Sequence, residues 1–478
     1  MFKNAKTIAL FTLLSRILGY LRDFFIATYF GASVYTDMFF IAFRIPNSLR
    51  RFLGEGAVNS SVIPVISKLD EKDKPKAVWN VILWFFLLLL MVTVLGVVFS
   101  KVLIALFAAG YIHNGLMDKL VKMVFPYIFF IGLMVLLTGI LNSFKHFAIP
   151  AFAPSLLNIS IIVSIFLFFK TFSNPVYALC LGVITGGILQ LVVVGFDFSR
   201  LKLPISLSLK IESTTVEIFK LMGIAALGNS VMQISSMADS FVASFLKSGS
   251  FSFIFYANRL FQLPFAVFSI ALTQGTLPDL SRMSNTELSK STKLLSRFVV
   301  FYSLLVTLYF LFFSLDVVKL IFMHGKFGLN NALNVSLALK IMIASFVFFS
   351  LSKIFSNAFY SQKDAKTPIK ASIWASSIAI VLSFVLGFKF GFTGLAASMS
   401  ISGVTNFIAL YFFFNKQISK ISMFDLIDSV SIVSSTFLFG ISMALSSIKF
   451  GFLLALIFYG SVFLFGFKKY SEAFNRSS

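Results

Sequence analysis

Runs of about 20 predominantly apolar residues follow one another along almost the whole chain, separated by short polar stretches. One of them, VILWFFLLLLMVTVLGVVFS, is continuous rather than alternating. Continuity predicts a helix that crosses a bilayer; the strands of a β-barrel would alternate over about 10 residues. The pattern predicts about 14 spans, near 7–30, 35–63, 78–107, 121–144, 152–170, 175–197, 217–245, 251–277, 295–322, 333–360, 368–388, 392–414, 424–446 and 450–467. The first, second, seventh and eighth carry the most polar residues, so their hydropathy is lowest.

The loops orient this set. With both termini in the cytoplasm, the inner segments hold about 21 Lys and Arg and the outer ones about 8. That bias is the one expected of a multi-pass protein with both ends inside. The longest polar connections, Lys68–Lys76, Ser199–Ser213 and Pro278–Lys293, all fall on the inner side, and none is long enough for a catalytic domain.

One stretch breaks the apolar rule. Between Ser15 and Ser67 the chain carries Arg16, Arg22, Asp23, Asp37, Arg44, Arg50, Arg51 and Glu55. An ionisable group at membrane depth costs about 2.5–3.5 kcal/mol on insertion scales. So many of them must face water, one another or a charged substrate. Ser15, Gly19 and Arg22 fall on one helical stripe, with Arg16 and Asp23 beside it. Arg44, Ser48, Arg51 and Glu55 form a second, with Asn47 and Arg50 on its shoulder. Two inward, mostly cationic stripes predict a cavity for an anion.

The chain also repeats itself. DFFIATYFGASVYTDMFFIAFRIP resembles DSFVASFLKSGSFSFIFYANRLFQLP, and LNSFKHFAIPA resembles SNAFYSQKDAKTPIKA. Asp23 and Asp239, Pro64 and Pro278, and Asn142 and Asn357 are each about 215 residues apart. An even number of spans lies between the copies, so they share orientation, and an axis along the membrane normal relates them. The expected organisation is an N-lobe of helices 1–6 (1–197), a C-lobe of helices 7–12 (198–415), and two C-terminal helices with a short cytoplasmic tail (416–478). The copies differ in charge. Arg259, from the second copy, is expected to face the charged wall of the first.

Composition narrows the function classes. Apolar residues make up 58% and charged residues 12%, with mean hydropathy +0.94, far from a soluble domain. The net charge of +22 is explained by the inner loops, so nucleic acid is not an expected partner. The apolar core of a cleaved signal peptide is interrupted by Arg16 and Arg22, so none is expected. A single cysteine, Cys180, rules out an intrachain disulfide, and the three histidines lack metal-ligand spacing. The 64 Phe residues read as core and lipid-facing surface. Nucleotide-binding and hydrolase motifs are absent from the sequence.

SRILGYLRD, TDMFFIAFRIPNSLRRFLGEGA, IPAFAPSLLNIS and YANRLFQLP resemble the MurJ (MviN) family of lipid II flippases, within the larger group of multidrug and oligosaccharidyl-lipid exporters. The resemblance spans the chain. It implies transport of lipid II, the undecaprenyl-pyrophosphate-linked disaccharide pentapeptide, across the bacterial cytoplasmic membrane for peptidoglycan synthesis. It places the family's cavity arginines at Arg16, Arg22, Arg50 and Arg259, its acids at Asp23, Asp37 and Glu55, and matching amides at Asn47 and Asn158. The first set, with the amides, would bind the pyrophosphate and head group. Asp23, Asp37, Glu55, Arg44 and Arg51 would gate the cavity or orient its arginines. The C-terminal helices resemble those lining a groove for the lipid tail.

Some relatives carry a sodium site on the seventh, eleventh and twelfth helices. Here its positions read Asp239, Ala379, Ser383 and Met399, so two oxygen ligands are lost. Asp239 and Ser383 remain candidates for cation or proton coupling, the ion being open. No other cofactor is expected, and partners would be lipid II, membrane lipids and cell-wall synthesis proteins. The rival readings are an exporter of another polyprenyl-linked oligosaccharide, which cavity charge does not separate, and a multidrug exporter, for which the excess of arginine is wrong. A membrane-embedded glycosyltransferase or phosphatase would need a catalytic cluster on a sizeable loop. The expectation is a transporter, not an enzyme.

Overall fold

The computed structural model describes residues 2–53, 57–206, 208–422 and 440. The described chain is helical, in the order α1 (Phe2–Phe30), α2 (Val34–Leu53), α3 (Ala57–Ile66), α4 (Lys74–Val98), α5 (Ser100–Ala108), α6 (Gly115–Val124), α7 (Tyr127–Ser143), α8 (Ala148–Phe168), α9 (Val176–Ser199), α10 (Ser213–Ala243), α11 (Ser250–Pro264), α12 (Ala271–Leu280), α13 (Asn285–Phe322), α14 (Leu329–Ile343), α15 (Phe346–Ser361), α16 (Lys366–Phe390) and α17 (Phe392–Gln417). It is an all-α, multi-pass membrane protein. Among the described residues, 7 helices are long and apolar enough to cross a membrane, or up to 9 if each bent pair counts as one span. The charge-bearing α1 and α2 are not among them. The expected spans 424–446 and 450–467 lie outside the described residues.

Several expected spans are broken helices. Span 78–107 divides at Phe99 into α4 and α5. Span 251–277 bends by 46° where a π-turn, Phe265–Ile270, follows Pro264. Span 333–360 bends by 44° between α14 and α15.

The chain divides into two compact units. The first comprises Met1–Phe253, Ile321–Asn331 and Ser383–Leu395. Within it α9 lies unusually close to α8. A Cβ on Gly182 would come within 2.6 Å of the Ile161 Cα, and one on Gly186 within 2.9 Å of the Leu157 Cα. This is the small-residue contact by which membrane helices pack without a hydrophobic driving force. Aromatic pairs carry α1 along α8, including Phe25 with Phe166 at 4.9 Å between centroids and Phe11 with Phe152 at 5.5 Å. The buried Asn80 of α4 fastens the connection before α10: its amide donates to the Ser208 and Lys210 carbonyls and accepts from the Glu212 N–H and the Thr215 hydroxyl.

The end of α1 meets the turn after α13 backbone to backbone. The Lys326 N–H donates to the Thr28 carbonyl at 2.8 Å. Gly31 and Gly325 both have positive φ, at 67° and 55°. A Cβ on either would collide with the opposite carbonyl, of Lys326 or Thr28 respectively. Glycine is required at both places by conformation and by space.

The second unit comprises Ile254–Leu320, Ala332–Leu382 and the chain from Ala396. Its core joins Leu295 and Val299 of α13, Ile354 and Phe355 of α15, and Phe407 and Phe414 of α17. Helix α16 starts at a side-chain cap. The Asp364 carboxylate accepts from the Lys366 and Thr367 N–H groups and the Thr367 hydroxyl. Slight burial opposes its charge, but these bonds outweigh that and hold the carboxyl below its ordinary range.

The repeated segments adopt the same local structure. α7 ends with the His146 N–H bonded to the Leu141 carbonyl, and α15 with the Asp364 N–H bonded to the Phe359 carbonyl. In both, a lysine occupies the left-handed position, Lys145 at φ 64° and Lys363 at φ 59°. This is the Schellman arrangement, which closes the last carbonyls of a helix.

Candidate functional site

Helix α1 brings the first group together. Arg22 and Asp23 are both buried, at 7% and 0% exposure. The Arg22 guanidinium closes on its neighbour, Nε and Nη2 donating to Asp23 Oδ1 at 2.9 and 2.6 Å. Its Nη1 donates to Asn158 Oδ1 at 3.0 Å, and Asn158 Nδ2 donates back to the Ser15 carbonyl of α1 at 3.1 Å. The arginine is thus held by Asn158 of α8 on one side and by the Asp23 carboxylate on the other. The three bonds use three of five N–H donors. Arg16 lies exposed on the same helix.

Helix α2 carries the second group. Arg50 Nε donates to Asn47 Oδ1 at 3.0 Å, one turn away. Arg44 reaches α10 instead. Its Nη1 donates to the Ser236 carbonyl at 3.0 Å and to Ser240 Oγ at 2.8 Å, with the guanidinium carbon 4.6 Å from the centroid of the Phe251 ring. Next to these serines, Asp239 Oδ1 accepts from Ser383 Oγ at 2.7 Å. The side chain of Arg51 and the whole of Glu55 lie outside the described residues.

Asp37 joins neither group. It is 1% exposed, and its carboxylate caps the start of α11. Oδ2 accepts from the Gly249 N–H at 2.7 Å; Oδ1 accepts from the Ser252 N–H at 2.7 Å and the Ser252 hydroxyl at 2.6 Å. A carboxylate at a helix N-terminus satisfies orphan donors and complements the helix dipole. Arg259, in the second unit, lies over the Phe255 ring at 5.0 Å. Among the described residues no group of three or more His, Cys, Asp or Glu is placed to hold a metal ion.

Sequence reasoning did not mark the partners Ser236, Ser240, Gly249 and Ser252. A signal for one was present: Ser252 stands 215 positions after Asp37, at the repeat interval.

An all-α, multi-pass membrane protein with an arginine–carboxylate pair buried among its helices has the form of a transporter. The family model described as "Lipid II flippase MurJ" matches residues 26–465. A probable lipid II flippase of Buchnera aphidicola (subspecies Schizaphis graminum) is 35% identical over 86% of this chain and 82% of its own length. The lipid II flippase of Burkholderia cenocepacia is 31% identical over 87% and 84%. A solved lipid II flippase in an inward closed conformation superposes with TM-score 0.81 at 26% identity, covering 98% of this chain and 99% of its own. An inward-facing multidrug transporter of the MATE family shares the fold, with TM-score 0.66 at 14% identity over 87% of this chain and 98% of its own. The chain belongs to the MurJ family of lipid II flippases.

Proposed function

We propose that this chain moves lipid II from the inner to the outer leaflet of the bacterial cytoplasmic membrane by alternating access, with both termini in the cytoplasm. The observation that carries the reading is the family match across residues 26–465. The buried Arg22 supports it from the side of chemistry. A pyrophosphate presents several anionic oxygens, which suit a planar guanidinium fork. Two Arg22 N–H groups remain beyond the bonds to Asp23 and Asn158, and Arg16, Arg50 and Arg259 would add charge to the same task. Asp23 holds the arginine oriented until substrate competes for it. Asp37, capping α11, would act as a gate element. No covalent step is needed, so the chain is read as a transporter and not as an enzyme. Lipid II is the substrate, and proteins of cell-wall synthesis are the expected neighbours.

The test is complementation. A bacterium depleted of its resident lipid II flippase would receive the parent chain, Arg22→Ala, Arg16→Ala or Arg259→Ala, with membrane levels checked. The parent restores growth and the arginine variants do not. Each lost charge-assisted bond costs about 1.5–3 kcal/mol, on the order of 10- to 100-fold in affinity. Failure of a well-expressed parent would overturn the reading.

A further inference from the structure

The residues that this sequence carries at the sodium positions of some relatives do not suit a sodium ion. A hard cation is held by several oxygens. Of the positions considered above, Ala379 and Met399 offer a methyl group and a thioether. The Ser383 hydroxyl is turned to donate to Asp239 itself. The positive charge comes from the chain. Ser236, Asp239 and Ser240 share one face of α10, at positions i, i+3 and i+4. Arg44, bonded to the Ser236 carbonyl and Ser240 Oγ, therefore lies on the face that carries the acid, and its charge acts on Asp239. Ser240 and Ser383 are fully buried and Arg44 and Asp239 are half-buried, so water screens the two charges only in part. The Phe251 ring against the guanidinium adds a cation–π contact on another side.

We propose that Arg44 is the resident counter-charge of Asp239, taking the place a monovalent cation would fill, so that this acid is neutralised by the chain and is indifferent to sodium. An intramembrane carboxylate without a partner is costly. An arginine tethered to α10 by two hydrogen bonds removes that cost in every ionic condition. Arg44 is thus a positioning residue that ties α2 to α10 through charge as well as hydrogen bonds.

The test is thermal melting of the purified full chain in lipid nanodiscs, in sodium chloride and in choline chloride at equal ionic strength. It involves no lipid II and is independent of the flippase reading. The parent melts at the same temperature in both salts, and Arg44→Lys, which keeps the charge, stays close to it. Arg44→Gln and Asp239→Asn each lower the midpoint by several degrees, and the double variant recovers most of the loss. If Arg44→Gln does not fold alone, its recovery on adding Asp239→Asn supports the pairing, and no recovery overturns it. Additive single effects overturn the proposal. So does a sodium-specific rise in the parent midpoint that Asp239→Asn abolishes.

Discussion

Asn158 bonds to α1 with both ends of its amide, to Arg22 and to the Ser15 carbonyl. Such a residue acts through the arginine, and that is testable. Asn158→Leu keeps the volume and removes both bonds, at about 1–3 kcal/mol for the groups left unpaired. It is expected to weaken complementation in the parent background and to add nothing to Arg22→Ala. A further loss on top of Arg22→Ala would instead mark direct substrate contact. The polar members of this cluster were legible in the sequence because charge inside an apolar span is conspicuous. Their pairing was not: Arg22 and Asn158 are 136 positions apart. Nor does any side-chain pattern announce that Arg44 binds a main-chain carbonyl, that of Ser236.

At the scale of elements, the turns after α7 and α15 each place a lysine where glycine is the easiest residue. Lys145→Gly and Lys363→Gly are each expected to stabilise the protein by up to about 1 kcal/mol by removing the strain of a side chain at positive φ, seen as a higher melting midpoint. A lower midpoint would show that the lysine side chains make up for the strain. Among the described residues hydropathy marked the 7 long apolar helices, or up to 9 with the bent pairs, because a bilayer-length apolar run is a coarse, robust signal. It did not place the breaks. Pro264 offers a reason for the bend before α12, but the bend between α14 and α15 falls in IMIASFVFF, which holds neither proline nor glycine. There side-chain hydroxyls enter the helix ladder: Ser345 donates to the Met342 carbonyl and Thr307 to the Ile343 carbonyl.

At the scale of the molecule, the loop charges predict which ends of the helices face the cytoplasm. Cys180 is the sole cysteine and is buried, so a Cys180→Ala background permits single-thiol mapping. A membrane-impermeant maleimide applied to intact spheroplasts is expected to label Lys119→Cys and to reach Lys72→Cys only after permeabilisation. Both positions are exposed, and the reverse pattern would invert the topology. A repeat was legible in the sequence, and the helix ends at Lys145 and Lys363 match in local structure. The contact between Asp37 and Ser252, 215 positions apart, carries it further. Were the two copies identical, an acid would stand at position 252 as well as at 37. Two carboxylates brought face to face would repel until one took up a proton. An acid in one copy and a hydroxyl in the other turn that encounter into a hydrogen bond. Fusing two copies into one chain lets them differ where they touch, which a homodimer of identical chains could never do.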